Sequence, residues 1–312
     1  MSRRSLGLDL GGTKLLACIV DEGGRILAQT TRPTGRATPP ARALALAVEC
    51  AEQLRQEAGD FEAVGLGFPG VADTAGRVAR SSVILDGWKD VRIAGMLEEA
   101  LGRPAVVDND VNAALVAELA ARDGAPDSCV LMVTVGTGIG GALAFGGRVW
   151  RGAGGAAGEI GHTSIDRHGS RCWCGRRGCV STMASGSAIG ARLMDGERPL
   201  SARVADGDPE AVVVVTAATL ALAEAIANAM QIVNPSLVIL GGGVAEIGRP
   251  FLEEVERTAR ALAFAEAAES CVFERARLGY NAGAIGAALL GFAQLARAPG
   301  RDATRAAEMY RA

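Results

Sequence analysis

The chain has 312 residues, 49% of them hydrophobic, which is enough for one large core or two medium ones, and the length favours two domains. Lys and Arg (32) nearly balance Asp and Glu (35) for a formal net charge of -3, and the arginines are scattered along the sequence. That excludes a protein built to coat nucleic acid or a membrane surface and points to a small anionic or neutral ligand. Residues 6–10 are too short an apolar run for a signal peptide or a membrane span, so a cytoplasmic protein is expected. Seven cysteines, an odd number, suit a reducing compartment, and Cys18, Cys50, Cys129 and Cys271 lie among apolar neighbours as small core fillers.

In chain order, residues 6–10 and 14–20 read as strands joined by a turn at Gly11-Gly12-Thr13, and Gly23-Gly24 reverses the chain into residues 25–30, completing a β-meander. Pro39-Pro40 opens a helix over 41–58 that Gly59 stops, followed by a strand at 63–68 and a turn at Pro69-Gly70. A strand at 105–107 runs into Asp108-Asn109-Asp110, whose short polar side chains cap a helix over 111–122. The pattern then restarts, with strands at 130–135, 141–145 and 148–150 around glycine turns at 136–138 and 146–147. The offset of about 125 residues predicts two copies of one α/β unit, with domains at 1–117 and 118–296. A buried amphipathic helix is expected over 211–233, ended by Asn234-Pro235, then a strand at 237–240, a turn at 241–243, and helices over 250–263 and 284–296. A further helix over about 297–312 is expected to pack on the first domain, and residues 195–209 read as a mobile loop.

Backbone amides at glycine-rich turns can approach phosphate oxygens, and three such turns occur, at residues 9–14, 136–141 and 241–243. Residues 136–141 satisfy G-x-G-x-x-G, but a dinucleotide site needs a helix directly afterwards, whereas residues 142–150 read as strand. Asp9 before the first turn is suited to hold a magnesium ion or its waters against nucleotide phosphates, or simply to cap the turn. Lys14 lacks the G-x-x-x-x-G-K-[ST] context of a P-loop.

Cys172, Cys174 and Cys179 form C-x-C-G-x-x-G-C, and His162 stands ten residues ahead in Gly158-Glu159-Ile160-Gly161-His162. Three thiolates and an imidazole fill the closed tetrahedral shell of a structural zinc ion, and the alternative is unligated thiols or a redox pair. His168, the other histidine, lies in a polar segment and reads as a surface residue.

Asp9-Leu10-Gly11-Gly12-Thr13-Lys14, Asn109-Asp110 with Asn112, residues 134–141, Glu159 to His162 and the cysteine cluster together resemble the ROK family of sugar kinases and repressors, over nearly the whole chain. The resemblance implies the actin-like ATPase fold, two RNase H-like α/β domains with ATP and sugar in the cleft between them. It implies Asp110 as the base that takes a proton from a sugar hydroxyl, Asn109, Gly70 and Ser181 at the substrate, Glu159 accepting from sugar hydroxyls, and His162 serving both zinc and sugar. Asp9, Gly11, Gly12, Thr13, Lys14, Thr137, Gly138 and Gly241, Gly242, Gly243 are then the ATP and magnesium side, with adenine near 241–243 and the start of the last helix. Family members are commonly dimers or tetramers, so a homodimer or homotetramer is expected.

Two positions depart from the family pattern. Ser181 stands where a glutamate usually follows the last cysteine, and Ile84 where many members carry Asn ahead of Gly87-Trp88. Both remove polar reach, which leaves an unusual hexose, an amino sugar or a cyclitol open beside glucose. A sugar-responsive regulator would carry a helix-turn-helix before the first glycine loop, for which Asp9 leaves no room, and a binding protein of weak activity is the other alternative.

Overall fold

The computed structural model describes residues 2–35, 37–122, 128–193, 198–243 and 249–297. Two compact units emerge: Met1–Asp127, Leu143–Ala157 and Tyr280–Ala312 form the first, Ser128–Ala142 and Gly158–Gly279 the second. The chain opens with β1 (Arg4–Leu10), β2 (Lys14–Asp21) and β3 (Ile26–Pro33), an antiparallel meander as the turn residues predict, then α1 (Pro40–Ala58) and β4 (Ala63–Phe68). β5 (Val71–Ala72), β6 (Ala79–Ser81) and β7 (Lys89–Val91) form a small separate sheet ahead of α2 (Ile93–Leu101), β8 (Ala105–Asn109) and α3 (Asp110–Ala120). Next come β9 (Cys129–Val135), β10 (Ile139–Phe145), β11 (Arg148–Trp150), α4 (Ser181–Ala184), α5 (Gly186–Gly190), α6 (Leu200–Ala205) and α7 (Pro209–Val233). β12 (Leu237–Gly241), α8 (Arg249–Leu262), α9 (Ala265–Ser270), β13 (Val272–Arg275) and α10 (Ala282–Arg297) complete the described chain.

The two large sheets have strand orders β3-β2-β1-β4-β8 and β11-β10-β9-β12-β13. Each extends a meander by two parallel strands beside the meander's first strand, so the connectivity is the same in both and the predicted repeat is present.

In β1 the alternation of side chains separates two faces. Leu6, Leu8 and Leu10 join Leu46, Cys50 and Leu54 of α1 in one core. Gly7 and Asp9 lie on the opposite face, against α10: a Cβ on Gly7 would stand 1.9 Å from the Ala284 carbonyl oxygen, and one on Gly65 of β4 1.7 Å from that of Ala287. The helix therefore rests on the sheet through backbone, which only glycine permits. This packing puts α10 in the first unit, whereas the sequence-based division assigns residues up to 296 to the second domain. α3 also runs unbroken through residues 117 and 118. The helix expected over 297–312 lies outside the described residues, apart from Arg297 at the end of α10.

In the second unit α7 is long and apolar enough, by length and composition, to cross a membrane, yet 61% of its most apolar window is buried inside the fold, as a core helix requires. Asp208 caps it by accepting from Glu210 N and Ala211 N, and Asn234, in the left-handed region, ends it. The predicted mobile loop needs correction, because α6 occupies much of it. Arg203 of that helix is 3% exposed and paired with Asp208 and Glu210. Residues 195–197 of that loop lie outside the described residues. Cys18, Cys50, Cys129 and Cys271 are buried, as expected.

Candidate active site

In the first unit β1, β4 and β8 run parallel and in register, with Asp9 beside Gly67 and Gly67 beside Asp108. Ligands of α/β sheets bind at the carboxyl ends of such strands, and Asp9, Gly70, Asn109 and Asp110 all cluster there. In the turn after β1, Gly11 N donates to Lys14 O at 2.8 Å, and Thr34 donates through its hydroxyl to Gly11 O (2.8 Å) and through its N–H to Thr13 O (2.9 Å). The carbonyls of Gly11, Thr13 and Lys14 are thereby occupied, while the N–H groups of Gly12 and Thr13 have no protein acceptor among the described residues. An anion fits such amides. Lys14 is exposed at the start of β2, its ammonium 4.9 Å from the ring centre of Tyr280.

Asp9 has its carboxyl pushed up to about 7, chiefly by burial and next by the charge of Asp110, with Lys14 opposing. Two neighbouring, half-buried carboxyl groups suit a hard divalent cation with oxygen ligands, so Asp9 fits a magnesium ion or its waters.

β8 passes directly into α3. Asn109 is the cap: its Oδ1 accepts from Val111 N (2.8 Å) and Asn112 N (3.1 Å), and its Nδ2 donates to Gly70 O at 3.1 Å. The role expected for Asn109 at a substrate hydroxyl is thus left with one amide N–H, and most of the side chain holds the loop. Gly70 sits where no side chain fits, since a Cβ would meet Ser81 O at 2.3 Å. Asp110 is half-buried in the first turn of α3, at the positive end of the helix dipole. Ile84 lies over the first glycine turn, its Cγ2 3.2 Å from where a Cβ on Gly12 would be, and Ser82, which donates to Pro69 O at 2.6 Å, anchors that segment. Thr34 and Ser82 escape sequence reading. Their signal is only a hydroxyl near a glycine turn, which is common in any chain.

In the second unit Gly136 N donates to Gly138 O at 2.8 Å, closing a turn one residue tighter than the one after β1. β10, a strand, follows directly, and that rules out the dinucleotide fingerprint. Gly242 abuts the same region with φ +90°, and a Cβ there would lie 2.4 Å from Val135 O. Thus the turn carrying Thr137 and Gly138 after β9 stands beside Gly241, the last residue of β12, and Gly242 and Gly243 that follow it.

Glu159 precedes a 3₁₀ turn, Ile160–His162. Burial pushes its half-buried carboxyl up, and among the described residues no donor bonds it. Such a carboxylate is a ready acceptor for ligand hydroxyls. Ser181, 5% exposed at the start of α4, backs onto the same turn, with Oγ 2.6 Å from where a Cβ on Gly161 would be.

His162, Cys172, Cys174 and Cys179 offer ligand atoms all within 4.8 Å of one another. Cys174 Sγ and Cys179 Sγ are 3.6 Å apart, and His162 Nδ1 is 3.4 Å from Cys172 Sγ. Ligands bound to one tetrahedral zinc at about 2.0–2.3 Å stand about 3.5–3.8 Å from one another, so the donor set fits zinc in both chemistry and spacing. Burial, then the charge of Arg176, holds the His162 imidazole below its usual range, in the neutral form a metal needs. His168 stays exposed and outside the cluster.

The sequence profile of the ROK family matches residues 5–293. A glucokinase of Halalkalibacterium halodurans is 31% identical over 90% of this chain and 92% of its own, and an N-acetylmannosamine kinase of Yersinia pseudotuberculosis is 35% identical over 77% and 83%. The crystal structure of a ROK family glucokinase from Streptomyces griseus, in complex with glucose and AMPPNP, superimposes with a TM-score of 0.80 at 30% identity, covering 93% of this chain and 99% of that one. With its paired sheets of like connectivity, this chain has the actin-like ATPase fold and belongs to the ROK family.

Proposed function

We propose that the protein is an ATP- and magnesium-dependent sugar kinase, which transfers the γ-phosphoryl group to a hydroxyl, the primary one at C6, of a hexose, an aminohexose or a hexose-like polyol. The observation that carries this reading is the contrast between two carboxylates two residues apart. Asp108 is 2% exposed, with both oxygens taken up by Asn109, Asn112 and Arg151, whereas Asp110 is half-buried within the electrostatic reach of Asp9, its Oδ1 accepting from Val111 N of its own helix. Relatives named for glucose and for N-acetylmannosamine support both a hexose and an aminohexose acceptor.

Asp110 takes the hydroxyl proton as that oxygen bonds to the γ-phosphorus and the bond from phosphorus to the ADP oxygen breaks; the proton ends on Asp110. The open amides of Gly12 and Thr13 grip phosphate oxygens, and Asp9 serves magnesium. Glu159 accepts from other sugar hydroxyls. Zinc, when bound by Cys172, Cys174, Cys179 and His162, closes the loop and leaves the second imidazole nitrogen as a fixed N–H donor. Ser181, in place of a carboxylate, leaves room for a substituted sugar.

An ATP-consumption screen over hexoses, aminohexoses and cyclitols identifies the acceptor. In that assay Asp110→Ala is expected to lose at least about 100-fold in kcat while its melting temperature stays near that of the parent. Undiminished turnover in this variant refutes the assignment.

A further inference from the structure

We infer that Arg151 is a positioning residue for the base: through Asp108 it fixes the junction between β8 and α3 at which Asp110 stands, an inference that rests on Asp110 being that base. Asp108 Oδ1 accepts from Asn109 N at 2.8 Å and from Asn112 Nδ2 at 3.0 Å. Its Oδ2 takes Arg151 Nε at 2.7 Å and Nη2 at 2.5 Å. One buried carboxylate thus ties together the end of β8, the first turn of α3 and the segment after β11. That segment is itself held. Arg151 Nη1 donates to Val149 O at 3.2 Å, Arg151 O accepts from Ala157 N at 3.2 Å, and Gly155 presses so closely on β5 that a Cβ would lie 1.8 Å from Ala72 O. β5 follows Gly70, whose carbonyl accepts from Asn109 Nδ2. Residues 109 and 110 are therefore clamped from both sides, with Arg151 supplying the only cation in the clamp among the described residues.

Stability alone does not account for this network. A buried ion pair returns little over a well-packed apolar replacement. Asn112, which is 2% exposed, reaches Asp108 with its Nδ2 but leaves its Oδ1 buried without a partner, an arrangement that costs stability. What the network secures is geometry, and a base must sit within hydrogen-bond reach of its proton, where misplacement by about 1 Å costs roughly 100-fold in rate.

The test compares full-length Arg151→Met, Arg151→Lys and the double variant Asp108→Asn with Arg151→Met in steady-state kinetics with ATP and the preferred sugar. Arg151→Met is expected to lower kcat about 10- to 100-fold with both KM values within about twofold, and Arg151→Lys, which keeps the charge but loses the two-point grip, to fall between it and the parent. The double variant regains part of the loss, because a neutral amide leaves no buried unpaired anion and still accepts from Asn109 N. Parental kcat in Arg151→Met, a rise in KM alone, or a double variant no better than the single one overturns the inference. Should Arg151→Met fail to fold, Arg151→Lys decides, with parental kcat counting against the inference and a loss at constant KM in its favour. Active Asp110→Ala defeats the base assignment itself, whereas inactive Asp110→Ala beside fully active Arg151→Met defeats only the clamp.

Discussion

Asp9 costs the ligand-free protein stability once it ionises, because burial and the charge of Asp110 oppose its charged form. Its carboxyl titrates near 7 in the fold against 3.8 in an unfolded chain, so between those values the folded form holds the proton more tightly. This contribution to stability is complete below about 3.8 and is lost as pH rises through 7. Asp9→Asn should therefore stabilise the ligand-free protein more at pH 8 than at pH 5, with a ceiling of about 4 kcal/mol that partial access to water reduces. Equal differences in melting temperature at the two pH values would rule the argument out. At the residue scale, Asp9, Asp110, Glu159 and the cluster of His162 with the three cysteines can be singled out as candidates in the sequence because their chemistry travels with short motifs. Arg151 is not, because it lies 43 residues from Asp108 and nothing local marks the pairing.

At the scale of elements, α10 illustrates why small residues recur in Ala282–Arg297. Gly286 meets α3 so closely that a Cβ would stand 1.7 Å from Ala113 O, on backbone that cannot yield as a side chain would. Gly286→Ala is expected to destabilise by about 1–3 kcal/mol, read as a lower denaturant midpoint with unchanged slope, and to slow catalysis because α3 carries Asp110. A midpoint equal to the parent's would show that the two helices part freely. Long or strongly periodic elements such as α1, β4 and α7 emerge from hydrophobic pattern and caps. β5–β7 have two or three residues each, too few to display alternation, and α6 hides in a polar segment because its partner charges, Asp208 and Glu210, follow it in the chain.

For the molecule as a whole, zinc is expected at one atom per chain. The Cys172 to Cys179 loop has few apolar side chains to bury, so its order depends on metal–ligand bonds. Chelation or Cys172→Ser should lower the melting temperature by about 5 °C or more, and elemental analysis far below one zinc per chain would remove the claim. The repeat of meander plus parallel strands is written in the spacing of glycine turns, because a tight reversal needs glycine wherever it occurs. So are the glycine turns themselves and the cluster of His162 with three cysteines, each set by residues close in sequence. That both oxygens of Asp108 are taken up, that Asn109 caps a helix, and that Arg151 neutralises Asp108 were decided by tertiary structure alone. Those outcomes depend on burial and on partners tens of residues away, and no local pattern encodes either.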